Sequence, residues 1–242
     1  MPRAEESQGA NVRKIKPDDV RADFDALILD IEGFYDAAVR SVVTEKDQTL
    51  LAESTLLSCA VLWEGFLSDL FIAYINRDPA QFKRHLENAL GVQLKENAKT
   101  MSIYEKFCKL TFPQHMTKAD IQELADAQGY NVTFRNFAVI ESKANQWLTA
   151  RHKRQIIGLT APQKVTVDAW IAIRNHIAHR SKSSLDRMNI VLNDGALATT
   201  GLKRGVNRVK RAGFYLKARP PPNDNSRLKI FIDNMRNIAA AI

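Results

Sequence analysis

Apolar residues recur at three- and four-residue steps along most of this chain, a spacing that predicts helices in place of strands. After the acidic start Pro17-Asp18-Asp19, the positions Phe24, Leu27, Ile28, Ile31, Phe34, Tyr35 and Val39 predict a helix to about Val43. Leu51, Leu57, Val61, Leu62, Phe66, Leu70 and Tyr74 mark a second, from about Gln48 to Asn76. Asp78-Pro79 can cap a third, which Gly91 is expected to end after about Leu90. Ile103, Phe107 and Leu110 suggest a short helix broken by Pro113. Thr117-Lys118-Ala119-Asp120 has the spacing of a capping box, opening a helix to about Gln128 with Gly129 as its C-cap. Asn131-Val132-Thr133 then leads into a helix from about Phe134 to Thr149, and a further one starts near Thr160 or Pro162 and runs to about Ser183.

Beyond that point the periodicity fades. Asn193-Asp194-Gly195 is a turn signal, Gly201, Gly205 and Gly213 punctuate the stretch, and a small hairpin is one reading of it. Pro220-Pro221-Pro222 is a stiff spacer. Leu228, Ile230, Phe231, Met235 and Ile238 predict a last helix that docks back on the others. The expected organisation is all-α: a polar leader at 1–17, a helical bundle at 18–185, an irregular basic segment at 186–223 and a C-terminal helix at 224–242.

Composition narrows the class further. A hydrophobic share of 45% is enough to build a core. No uninterrupted apolar run approaches the ~18 residues that cross a bilayer, and the first residues lack a signal-peptide core, so a cytoplasmic protein with no membrane partner is expected. Cys59 and Cys108 have no partner spacing and read as small buried hydrophobes. His85, His115 and His152 have no metal-ligand spacing, and no cofactor is implied.

Charge changes the picture more. Residues 201–242 hold ten Lys/Arg against two Asp/Glu, so they carry the whole net charge of +8. Residues 151–200 are basic as well, and residues 1–50 are acidic. Such a distribution points to a polyanion such as RNA, with Arg180, Lys203, Arg204, Arg208, Lys210 and Arg211 as candidate RNA-binding side chains. The plainer alternative is a basic surface that only confers solubility.

The chemistry concentrates in Arg174-Asn175-His176-Ile177-Ala178-His179. Arg174 can grip a phosphate through its guanidinium fork, Asn175 can orient it, and His179 can exchange protons near neutral pH. On a helical wheel Trp170, Ile173 and Ile177 form a core stripe, while Arg174, Asn175 and His179 spread over the opposite side with Ala178 and Ile171 between them. Arg174 and His179 are about 140° apart, too far for one copy to make a tight pair. Two copies packed face to face could converge the groups on one groove. Glu64, in an apolar helix between Trp63 and Phe66, is either a surface residue or a carboxylate that orients Arg174 or His179. His176 reads as a boundary residue.

Arg174-Asn175-x-Ile-Ala-His179 and the upstream Leu62-Trp63-Glu64-Gly65-Phe66 resemble the HEPN family, helical-bundle domains of many prokaryotic ribonucleases and toxins. The resemblance implies a homodimer with a composite site and metal-independent endoribonuclease chemistry. In it His179 acts as general acid or base, Arg174 as phosphate clamp, with Asn175 and Glu64 in support, and a toxin or phage-defence role is in keeping with it. In one toxin branch a Tyr follows the motif His by two positions; here Ser181 stands there, so that branch's regulation does not carry over. Two rival classes stay open: a catalytically silent HEPN dimer serving as scaffold or nucleic-acid-binding module, and a DNA- or nucleotide-binding regulator that uses the basic tail.

Overall fold

The computed structural model describes residues 14–95, 98–107, 111–125 and 132–242. The leader's first thirteen residues, Cys108, the proposed helix end at Gln128, the Gly129 cap and Asn131 lie outside the described residues. Those described form eleven α-helices, one 3-10 turn and no strand.

Helix α1 (Pro17–Ser41) starts on Pro17 with Asp18 and Asp19 in its first turn, where acidic side chains complement the helix dipole. Its inner face, Phe24, Ile28 and Tyr35, lies against α2 (Glu45–Arg77) in an antiparallel pair. Thr44 caps α2 by accepting the Asp47 N–H at 3.1 Å. Thirty-three residues make α2 about 50 Å long. By length and composition it contains a stretch apolar enough to cross a membrane, contrary to the expectation that none is long enough, and 61% of that stretch is buried inside the bundle. Helices on several sides cover it, which explains why it is apolar around most of its girth.

Helix α3 (Ala80–Lys95) runs through Gly91 instead of stopping before it. One glycine in an exposed helix costs only about 1 kcal/mol and leaves the backbone ladder intact. Then follow α4 (Ala98–Phe107) and α5 (Lys118–Ala125), the latter opened by the reciprocal Thr117–Asp120 cap at 2.8 and 3.2 Å. Helix α6 (Phe137–Trp147) begins later than predicted because Asn136 caps it, accepting the Val139 N–H at 2.9 Å. A separate short helix, α7 (Ala150–Ile157), had no periodic signature and was not anticipated.

Helix α8 (Ala161–His179) carries the motif and lies at the centre of the fold, touching α2, α6, α9, α10 and α11. Thr160 and Gln163 form its capping box. It ends four residues earlier than predicted, since Arg180 turns left-handed at φ 48° and Ser181 caps a new helix, α9 (Lys182–Val191). The rest of the basic segment holds a 3-10 turn (Gly195–Leu197) and α10 (Ala212–Lys217), and the hairpin reading is incorrect. Arg204 gathers carbonyls of the loop at 205–207 and that of Asn189, replacing the ladder a hairpin would need. Helix α11 (Arg227–Ala241) docks on α1, α2, α8 and α10 as expected, fastened to α1 by Arg236–Asp25 and Lys229–Asp36.

An aromatic cluster locks α1, α2 and α8 together. Trp63 meets Trp170 edge to face at 4.8 Å and Phe24 at 5.8 Å, while Phe24 stacks on Phe66 at 4.5 Å. Those contacts set the rotation of α8 and therefore the direction its last two turns face.

Candidate functional site

The last two turns of α8 pass from the core to the surface. Ile171, Ala172 and Ile173 are buried, Arg174 to Ile177 half-buried, and Ala178 to Arg180 exposed. Ile171 was placed on the open arc by the wheel but lies inside, because helices pack around the middle of α8 on several sides.

Arg174 is held from two directions. One terminal nitrogen donates to Asn175 Oδ1 at 3.0 Å and the other to Glu64 Oε2 at 3.3 Å. Its Nε is buried without a partner among the described residues. Each terminal nitrogen keeps a second N–H, so the guanidinium is fixed in place with donors to spare for an anion. The Glu64 carboxylate comes from α2, next to the buried Trp63 and Phe66, and its pairing with Arg174 is the orienting role considered for it. Among the described residues no hydrogen bond or ion pair joins Glu64 to His179.

Asn175 gives its oxygen to Arg174 and retains its amide N–H groups. His179 closes the helix with an exposed ring that makes no hydrogen bond or ion pair among the described residues. The structure thus brings Arg174, Asn175 and Glu64 together and leaves His179 apart from them on the same helix end.

Arg180 has a different partner. Its guanidinium meets Glu53 of α2 at 2.7 Å, and the other oxygen of this buried carboxylate accepts the Gly213 N–H at 3.0 Å. A Cβ at Gly213 would collide with Thr49, so α10 can seat this closely on α2 only with glycine there. Beside it, His176 Nδ1 lies 3.2 Å from Ser184 Oγ, and burial, then the Arg180 charge, pushes the imidazole pKa below its ordinary value. Lys46, Glu53, His176, Arg180, Lys210 and Arg211 line a cleft of about 300 Å³ at this corner.

The remaining basic candidates separate. Arg208, Lys210 and Arg211 line an adjoining groove of about 760 Å³ with Phe214 and Tyr215. Arg208 also bonds Asp186, which Lys182 holds at 3.2 Å. Arg204 is committed to four carbonyls, and Lys203 is exposed outside both hollows. Sequence reasoning missed Glu53, Lys46 and Phe214. Glu53 carried the same signal that drew attention to Glu64, a carboxylate among apolar helix residues. Among the described residues no three of His, Cys, Asp and Glu gather as a metal site would require.

A family model described as RiboL-PSP-HEPN matches residues 22–193 and so includes both Glu64 and the motif. No curated protein and no solved structure matches the chain.

Proposed function

Because the chain belongs to the RiboL-PSP-HEPN family, we propose that it is a metal-independent endoribonuclease acting in the cytoplasm as a homodimer. The observation that carries this reading is the end of α8. Glu64 and Asn175 hold the Arg174 guanidinium with spare donors, while His179 stands free to move protons at the same helix end.

In the reaction a ribose 2′-oxygen attacks the adjacent phosphorus and the bond to the 5′-oxygen breaks. One His179 removes the 2′-OH proton, and the His179 of a second copy protonates the leaving 5′-oxygen. Arg174 offsets the charge that builds on the phosphate oxygens, and Asn175 positions the same phosphate through its amide. The products are a 2′,3′-cyclic phosphate and a 5′-OH, and DNA, which has no 2′-OH, survives. A second copy supplies what the spread of Arg174 and His179 around the helix denies to one. A toxin or phage-defence role fits such an activity.

The test is to incubate wild type and His179→Ala with RNA in EDTA and map the ends. Cleavage by wild type alone, leaving cyclic-phosphate ends, supports the proposal. Equal activity in both proteins places the chemistry elsewhere. Biological function that survives loss of both Arg174 and His179 would favour a scaffold or nucleic-acid-binding module instead.

A further inference from the structure

Resting on that reading, we propose that the two adjoining hollows beside α8 form a track for single-stranded RNA, with Phe214 as its base-stacking platform and Lys46, Lys210 and Arg211 as its phosphate contacts.

The hollows adjoin: Lys210 and Arg211 border both. The inner one reaches the motif helix at His176 and Arg180. His176 stands one turn before His179 on α8, and residues three apart are neighbours on a helix surface. A strand leaving His179 therefore passes His176 before entering the cleft. Within it, Glu53 is the one carboxylate among the lining residues, and Arg180 and the Gly213 N–H already occupy its oxygens. Among the described residues Lys46 and Lys210 make no ion pair or hydrogen bond, and Arg211 is held only by the Phe214 ring at 5.4 Å. Three cations with so little to bind them at home are suited to a polyanion.

Phe214 supplies what a merely basic surface lacks. It is a large aromatic left 38% exposed on the rim of the outer groove. Lys217, anchored to the Glu45 carbonyl at 3.2 Å, lies 5.0 Å from the ring centre and stays in place. Arg211 has only the ring as a side-chain partner among the described residues: it can leave the ring for a phosphate, and a base can take the vacated face. Stacking of this kind needs an unpaired base with an open π-face, which a duplex does not offer. The inner cleft, walled by α2, the end of α8 and the start of α10, likewise admits one strand more readily than a rod.

The test measures fluorescence anisotropy of the full chain carrying His179→Ala, which leaves the RNA uncut, with labelled oligouridylate and with its oligoadenylate duplex. The single strand is expected to bind at least tenfold more tightly than the duplex. Phe214→Leu keeps an apolar contact but removes the π-face, and is expected to weaken binding about tenfold, whereas Phe214→Tyr retains it. Lys210→Ala with Arg211→Ala is expected to lower the slope of log K against log salt by about 1.4, at about 0.7 per phosphate contact. Should Phe214→Leu fail to fold, this slope decides alone. Unchanged binding in Phe214→Leu, equal affinity for duplex, or no binding of the single strand each overturns the track. Cleavage by wild type, scored separately, then shows whether the endoribonuclease reading stands without it.

Discussion

Glu64 on α2 receives the Arg174 guanidinium of α8 at 3.3 Å, across 110 residues of sequence. Each side chain keeps roughly a quarter of its surface exposed, so the pair adds little to stability, typically about 1 kcal/mol or less. Its use is directional: it aims the guanidinium. Glu64→Gln preserves shape and removes the charge, and is expected to lower the RNA cleavage rate about tenfold with the melting temperature nearly unchanged. A rate equal to wild type would reduce Glu64 to a packing residue.

A second carboxylate on α2 has the opposite balance. Glu53 is buried and holds both Arg180 and the Gly213 N–H. Glu53→Ala strands a buried donor and is expected to cost about 3 kcal/mol in urea unfolding. Gly213→Ala drives a Cβ into Thr49 and is expected to cost about 1–3 kcal/mol. Wild-type stability in either variant would mean that α10 is not clamped to α2 as described.

Stability should fall as the solution is acidified below about pH 6.5. Burial is the first cause that lowers the pKa of His85, His152 and His176, with Lys143, Arg151 and Arg180 respectively adding to it. Between each depressed value and 6.5 the unfolded chain binds more protons, so stability rises with pH there, is complete above 6.5 and is lost on acidification. Asp168 and Glu32, raised chiefly by burial, act in the opposite sense at lower pH. Urea unfolding across pH 5.5–7.5 is expected to show a positive slope that His176→Gln makes shallower; an identical slope in that variant would contradict the assignment.

Burial pushes the Cys59 thiol up to about 12, so it stays protonated and unreactive in the native state. Iodoacetamide applied to folded protein at pH 8, followed by peptide mapping, should leave the Cys59 peptide unmodified, and denaturant should release it. Labelling of Cys59 without denaturant would show that α2 opens locally.

Much of the fold was legible because long helices that bury one face advertise it. The apolar spacing of α1, α2, α8 and α11 and the Thr117–Asp120 cap could be read directly. Helices α7, α9 and α10 could not, since six to ten residues carry too few turns for a period to emerge. The end of α8 was missed for a local reason. A polar run through Ser183 continues the helical pattern, and only the left-handed turn at Arg180, held by Glu53, breaks it.

The amino-acid order by itself determined an all-α chain, its membership of the family through Arg174, Asn175, His179 and the Trp63-Glu64 helix, and a basic C-terminal third. Periodicity, residue chemistry and charge are all properties of neighbours along the chain. Tertiary structure alone decided how the charges are used: Glu64 for Arg174, Glu53 for Arg180, four carbonyls for Arg204, the Phe214 ring for Arg211, and exposed positions for His179 and Lys210. These choices depend on how α2, α8 and α10 cross. The aromatic contact of Trp63 with Trp170 and the close seat of Gly213 set that crossing, over separations that no local pattern encodes.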